Sequence, residues 1–182
     1  MRVLGIDPGT VITGWGVIEV HRGIMRHLAS GTIRAGRGEV ASRLGFIYAE
    51  LGAVLVEHAP DAVSLERNFL ARNVQSAFRL GEARGVAMAA TAARGVTLAE
   101  YTPATIKKCV AGHGGADKAQ IQKAVARLLG VSQRLAADEA DALAAAACHV
   151  LRSGFDARVR AATARQGPAV RLGGVIRARV LG

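Results

Sequence analysis

The feature that most constrains this chain is a carboxylate at the end of a strand. Val3 to Ile6 is a short apolar run that reads as buried β-structure, and it ends on Asp7. Pro8 and Gly9 follow at once and force a turn, because proline holds φ near about −65° and glycine accepts positive φ. A carboxylate at the end of a buried strand is strongly penalised unless something cationic meets it. Any fold open to this chain has to bring a partner to Asp7. From this stretch alone three arrangements qualify: an Asx-type turn, a phosphate loop, or one corner of a metal site.

The rest of the chain says what can surround that strand. Thr13–Val20 and Ile24–Ile33 continue the extended pattern, with Gly9, Gly14, Gly16, Gly23 and Gly31 read as turn punctuation in a meander. Val40, Leu44, Ile47, Leu51 and Val54/Leu55 recur at helical spacing, which predicts a helix from about Val40 to His58, closed by Pro60. Ala62–Leu65 is a second apolar strand, ending on Glu66. A helix from about Val74 to Arg94 is expected to start on Asn73 as N-cap, and Val96–Tyr101 reads as another strand. Thr102-Pro103 opens a short helix to about Val110, with Thr as cap and Pro in the first turn. A glycine-rich loop at 111–115 leads to helices at about Asp117–Leu129 and Asp138–Arg152. Three strands followed by alternating helices and strands predict an α/β fold with a mixed sheet. The domain is expected over residues 1–152, with 153–182 a basic, mobile tail that can carry a helical turn near Ala157–Ala164.

Charge bears on partners. The chain carries a formal +10, and 51% of its 182 residues are hydrophobic, so it has the length and apolar content for one folded core and a polyanion as partner. Seven arginines and one acid, Asp156, fall in residues 152–182; without them +4 remains, so the body is mildly basic. No run of 18 apolar residues appears, and the N-terminus lacks the basic flank and apolar stretch of a signal peptide. A cytoplasmic protein with no membrane partner is expected. Cys109 and Cys148 lie far apart in sequence and form no CxxC, against a metal staple or disulfide framework. His21, His27, His58, His113 and His149 share no ligand spacing; only His113, in the glycine-rich loop, is of further interest.

In so basic a chain the 14 acids can be weighed one by one. Asp7 and Glu66 each end an apolar strand, and neighbouring strands would bring both to one rim. Asp138 and Asp141, three apart, share one helix face with Cβ atoms about 5–6 Å apart. Four converging carboxylates repel and raise one another's pKa values, a conflict that divalent cations remove. Two such ions can drive phosphodiester hydrolysis. Each acid also has a purely local explanation. Asp7 could serve a turn, Glu66 could mark a strand end, and Asp138-x-x-Asp141 resembles a capping box with Asp138 as cap. Glu139, between the pair, is expected to face elsewhere on the helix as a solvated or dipole-favoured acid.

Taken together, Leu4-Gly5-Ile6-Asp7-Pro8-Gly9, Thr13-Gly14-Trp15-Gly16-Val17-Ile18, Leu65-Glu66 with Phe69 and Asn73, Leu80-Gly81-Glu82-Ala83-Arg84-Gly85 and Asp138-Glu139-Ala140-Asp141-Ala142-Leu143-Ala144 resemble the bacterial RuvC crossover junction endonucleases. The motifs run in order from about residue 2 to 150. The resemblance implies a ribonuclease H-like fold, a mixed five-stranded sheet flanked by helices, and a homodimer. It implies Mg²⁺-dependent paired nicking of four-way (Holliday) DNA junctions, with Mn²⁺ as a substitute and two ions per site. It also implies a partnership with the RuvA–RuvB branch-migration machinery and a short T-rich cutting preference. The family's acidic ligands fall on Asp7, Glu66, Asp138 and Asp141. Its stacking aromatic falls on Phe69, and its phosphate-contacting lysines on Lys107 and Lys118. Arg67 and Lys108 depart from the family pattern by adding charge. Arg72, beside Phe69, and Lys108 join the residues expected to meet DNA.

Two other classes compete with this reading. An actin- or sugar-kinase-type ATP-binding domain also begins with a strand, an Asp and a Gly-Thr turn, but it needs a second lobe with a second such motif. A non-catalytic junction-binding protein has no use for four acids.

Overall fold

A computed structural model describes residues 1–67, 73–132 and 135–165, the side chains of 155–165 excepted. Three strands come first: β1 (Arg2–Asp7), β2 (Ile12–His21) and β3 (Ile24–Arg34). The turn between β2 and β3 is Arg22-Gly23, both at positive φ, the geometry that matches the twist of a two-residue hairpin. Then follow α1 (Val40–His58), β4 (Ala62–Glu66), α2 (Val74–Ala92), β5 (Thr97–Tyr101), α3 (Pro103–Ala111), α4 (Lys118–Leu129) and α5 (Ala137–Arg165).

The sheet order is β3-β2-β1-β4-β5. β1 pairs antiparallel with β2 and parallel with β4, and β5 pairs parallel with β4. The mixed five-stranded α/β layout expected from the sequence is the one observed. Alternation along the strands separates two cores. Leu4, Ile6, Val17, Val63 and Leu65 face α1 and α2, against Ile47, Leu51, Ala87 and Ala90. Val3 and Ile18 face the other way, onto α3, α4 and the alanines of α5.

The helix starts follow local chemistry. The Asn73 side chain accepts from the Ser76 amide at 2.8 Å, as its N-cap position predicts. Thr102 accepts from the Thr105 amide at 3.2 Å, with Pro103 at the first position. Asp117 and Gln120 close a reciprocal capping box at the start of α4. Among the described residues no helix is long and apolar enough to cross a membrane.

Four expectations change. Gly14, Gly16 and Gly31 are not turn residues; they lie inside β2 and β3. A Cβ on Gly31 would stand 2.9 Å from the Trp15 ring, and Gly14 and Gly16 lie under α5. α5 does not end at Arg152 but continues to Arg165, across the boundary expected between domain and tail. Asp138 is not the N-cap of α5, because the helix already begins at Ala137. Glu139 does not simply face solvent: Ser30 Oγ on β3 donates to its Oε2 at 3.4 Å, and His27 Nε2 stands 2.9 Å from the same hydroxyl.

Candidate active site

Strand pairing sets the first two acids. Ile6 and Leu65 are register partners in the parallel β1/β4 ladder, so the next residues, Asp7 and Glu66, emerge side by side at one rim. On the other side of β1, Asp7 pairs with Gly14. A Cβ on Gly14 would stand 2.1 Å from the Asp138 carbonyl oxygen, and one on Gly5 would stand 1.8 Å from the Ala142 carbonyl oxygen. The sheet thus offers bare backbone where α5 crosses it, and α5 lies directly on β1 and β2. α5 runs antiparallel to β1, which puts its first two turns, with Asp138 and Asp141, over the end that carries Asp7. The signal for this contact is present in the sequence as glycines inside strand-like runs.

A cavity of about 280 Å³ opens at this rim. Asp7, Glu66 and Asp141 line its acidic side, Lys107 and Lys118 face them, and Pro103, Ile106, Ile121 and Ala144 form the apolar wall. Lys107 comes from α3 and Lys118 from the first position of α4, each carried by a capped helix start. Lys118 Nζ stands 3.8 Å from Asp141 Oδ2, with its side chain 81% exposed. Lys108 is exposed and does not line the cavity, because neighbouring helix positions point about 100° apart. His113 lies in a separate groove with Gln120, Lys123 and Arg127. Phe69 and Arg72 fall outside the described residues.

The electrostatics show converging acids. Burial pushes the Asp7 carboxyl up to about 7 from 3.8, with Glu66, Asp141 and Asp138 adding repulsion and Lys118 opposing it. Burial also raises Asp141; Lys118 and Lys107 work against the rise and Asp138 adds to it. Both carboxyls stay raised despite Lys118, so a divalent cation would stabilise their ionised forms.

The donor set fits a hard divalent cation, since every candidate ligand is a carboxylate oxygen. As placed, no group of three or more His, Cys, Asp or Glu among the described residues closes to metal-holding geometry. Asp7, Glu66 and Asp141 line the cavity, whereas Asp138 does not line it and acts on Asp7 and Asp141 as a neighbouring charge. Mg²⁺ commonly takes only one or two protein carboxylates and completes its shell with water and substrate phosphate, so an open ring of acids suits it.

Two cysteines expected to be unrelated also meet. Cys109 on α3 and Cys148 on α5 are free thiols close to one another, and burial together with the neighbouring Cys109 pushes the Cys148 thiol up. Folding across 39 positions brings them together, a proximity that no local spacing encodes.

Residues 3–149 match the family model described as crossover junction endodeoxyribonuclease RuvC. The crossover junction endodeoxyribonuclease RuvC of Alkalilimnicola ehrlichii is 45% identical over 90% of this chain and 99% of its own length. The corresponding protein of Oleidesulfovibrio alaskensis is 47% identical over 82% of this chain and 90% of its own. Among solved structures, Thermus thermophilus RuvC in complex with a Holliday junction substrate is similar with a TM-score of 0.81 at 32% identity, covering 86% of this chain and 96% of that one. The yeast mitochondrial Holliday junction resolvase shares the fold, with a TM-score of 0.69 at 11% identity over 90% of this chain and 85% of its own.

Proposed function

Because the chain belongs to the RuvC family of crossover junction endodeoxyribonucleases, enzymes of Holliday junction resolution, we propose that Asp7, Glu66, Asp138 and Asp141 are the ligands for its catalytic cations. The observation that carries this reading is the rim cavity, where acids from two parallel strands and α5 face Lys107 and Lys118. The cations are Mg²⁺, with Mn²⁺ able to replace it, and two serve each site. When bound they supply Lewis acidity toward the scissile phosphodiester and its attacking water.

The chain's own residues do the rest. Asp7 would have to be deprotonated to hold a cation, so its raised pKa would couple metal affinity to pH. Asp138 and Asp141 are carried on a helix that glycine-backed strands hold rigidly at the rim. Lys107 and Lys118 meet the phosphates of the incoming strand. The exposed Lys118 side chain can leave Asp141 for a phosphate when DNA arrives. The apolar wall of Pro103, Ile106, Ile121 and Ala144 limits the water that reaches the site. Phe69, three residues after Glu66 in sequence, stacks on a base unpaired at the crossover, and Arg72 and Lys108 add phosphate contacts.

The enzyme works as a homodimer, so that two sites nick symmetric strands, and it acts in the cytoplasm with the RuvA–RuvB complex. Supporting a dimer, Val74, Phe78, Gly81 and Gly85 form one exposed stripe along α2, and a Cβ on either glycine would meet nothing within 4 Å.

A synthetic four-way junction and a linear duplex of the same sequence, each incubated with Mg²⁺, test the reading. Paired symmetric nicks on the junction alone are expected. Asp7→Asn should lose them while still binding the junction in the absence of metal. Wild-type nicking by Asp7→Asn would remove the cation-site assignment.

A further inference from the structure

Apart from Leu143, which packs over Gly16 of β2, α5 meets the sheet through very small residues. Ala142, Ala144, Ala145, Ala146 and Ala147 are all buried, and at Gly5 there is no room for a methyl group. On the β2 side the Leu143 side chain sits over Gly16 and restrains the helix. Alanine packing has no direction, so on the β4 side a directional contact is what can fix the register.

Ser64 on β4 has the right properties. It is fully buried, on the α5 side of the sheet, and its Oγ donates to the Ala145 carbonyl at 2.7 Å. Two other side-chain hydrogen bonds link α5 to the sheet among the described residues: Ser30 Oγ to Glu139 Oε2 at 3.4 Å, and Tyr101 OH with His149 Nδ1 at 3.0 Å. Both of those join side-chain tips. Ser64 instead grips the main chain of α5.

The spacing from that grip is telling. Glu66 lies two residues beyond Ser64, about 6.6 Å along the strand. Asp141 lies one turn before Ala145, about 6 Å along the helix. Helix and strand run antiparallel, so both acids reach the rim at nearly the same height from one anchor. A slip of one helix residue, about 1.5 Å, would separate them, whereas Mg²⁺ tolerates little departure from ideal ligand geometry.

We propose that Ser64 is a positioning residue, whose hydrogen bond to the Ala145 carbonyl sets the register of α5 on β4 and thereby the spacing of Asp141 from Glu66. The inference rests on reading these acids as cation ligands, and the experiment separates the two. Mn²⁺ binding to the full-length protein without DNA is measured by calorimetry, alongside the Mg²⁺ concentration for half-maximal junction nicking, the rate at saturating Mg²⁺, and the melting temperature. In Ser64→Ala both metal measures rise about tenfold, the loss typical of removing a group that orients a ligand. The rate at saturating Mg²⁺ and metal-free junction binding stay near wild type. Ser64→Cys, of similar size and a weaker donor, falls between the two.

Thr91→Val is the control. It removes a buried hydroxyl that donates to the Ala87 carbonyl within α2, on the opposite face of the sheet, and it leaves metal dependence unchanged even where it lowers the melting temperature. Wild-type Mn²⁺ binding by Ser64→Ala, or an equal loss in Thr91→Val, overturns the proposal. If Ser64→Ala does not fold, the Ser64→Cys comparison decides on the same criteria. If Asp141→Asn also binds Mn²⁺ and nicks as wild type, it is the cation-site reading that fails. If Asp141→Asn loses both while Ser64→Ala is unaffected, only the role of Ser64 falls.

Discussion

Asp7 has an ordinary carboxylate value of 3.8 outside the fold and about 7 within it. Between those values the unfolded chain is ionised while the folded chain keeps its proton. The unfolded state therefore binds fewer protons, and stability falls as pH rises through this window. The raised Asp141 acts in the same sense. The metal-free protein should melt at a higher temperature at pH 5 than at pH 8, by an amount of order a few kcal/mol in stability. Asp7→Asn should flatten that dependence and be more stable than wild type at pH 8. A wild-type melting temperature that does not fall between these values contradicts the buried-acid account. Lys107 and Lys118 are tested through salt. Replacing both by Ala should reduce the slope of log affinity against log salt by about two, one for each phosphate that a lysine no longer neutralises. An unchanged slope would mean that these lysines serve the acids and not the DNA.

Among the elements, α5 decides whether a site exists. It carries two of the acids, and its height above the sheet depends on residues more than a hundred positions away in sequence. Gly14→Ala would place a methyl 2.1 Å from the Asp138 carbonyl oxygen, a backbone atom that cannot swing aside. The first turn of α5 must then lift from β2. Overpacking of this kind destabilises by about 1–3 kcal/mol. The loss of cleavage should exceed what the lowered stability explains, because Asp138 and Asp141 move with the helix. Thermal melts beside junction nicking at saturating Mg²⁺ check this, and cleavage that tracks stability alone would count against it. α2 shows the opposite face of the same logic. Its Ala83, Ala87 and Ala90 are buried, while Val74 and Phe78 are 73% and 70% exposed.

At the scale of the whole molecule, paired nicking needs two sites held at a fixed separation. The exposed α2 stripe, with Phe46 on α1 also exposed, is a surface that a second copy of the chain would cover. Phe78→Arg should shift the protein to monomer in sedimentation velocity. On a cruciform plasmid it should leave single nicks, giving open circles in place of linear product. A wild-type chain that sediments as a monomer at micromolar concentration would remove the dimer from this account.

The sequence by itself determined the elements and their order. Period-2 and period-3.6 patterns, Asn73, Thr102-Pro103 and the terminal acids act over a few residues, so the strands and most helix starts were legible. It also placed Asp7 and Glu66 at strand ends, where parallel pairing makes them neighbours. Tertiary structure alone decided how closely α5 approaches them. Gly14 looks like a turn residue, and Gly5 like any strand position, until Asp138 and Ala142 are seen pressed against their bare backbone. The same long-range packing tied Glu139 to Ser30, brought Cys109 near Cys148, and left Lys108 outside the cavity that Lys107 lines. Local spacing specifies which way a side chain points along its own element. How near two elements lie depends on the atoms missing between them, and those are known only once both are in place.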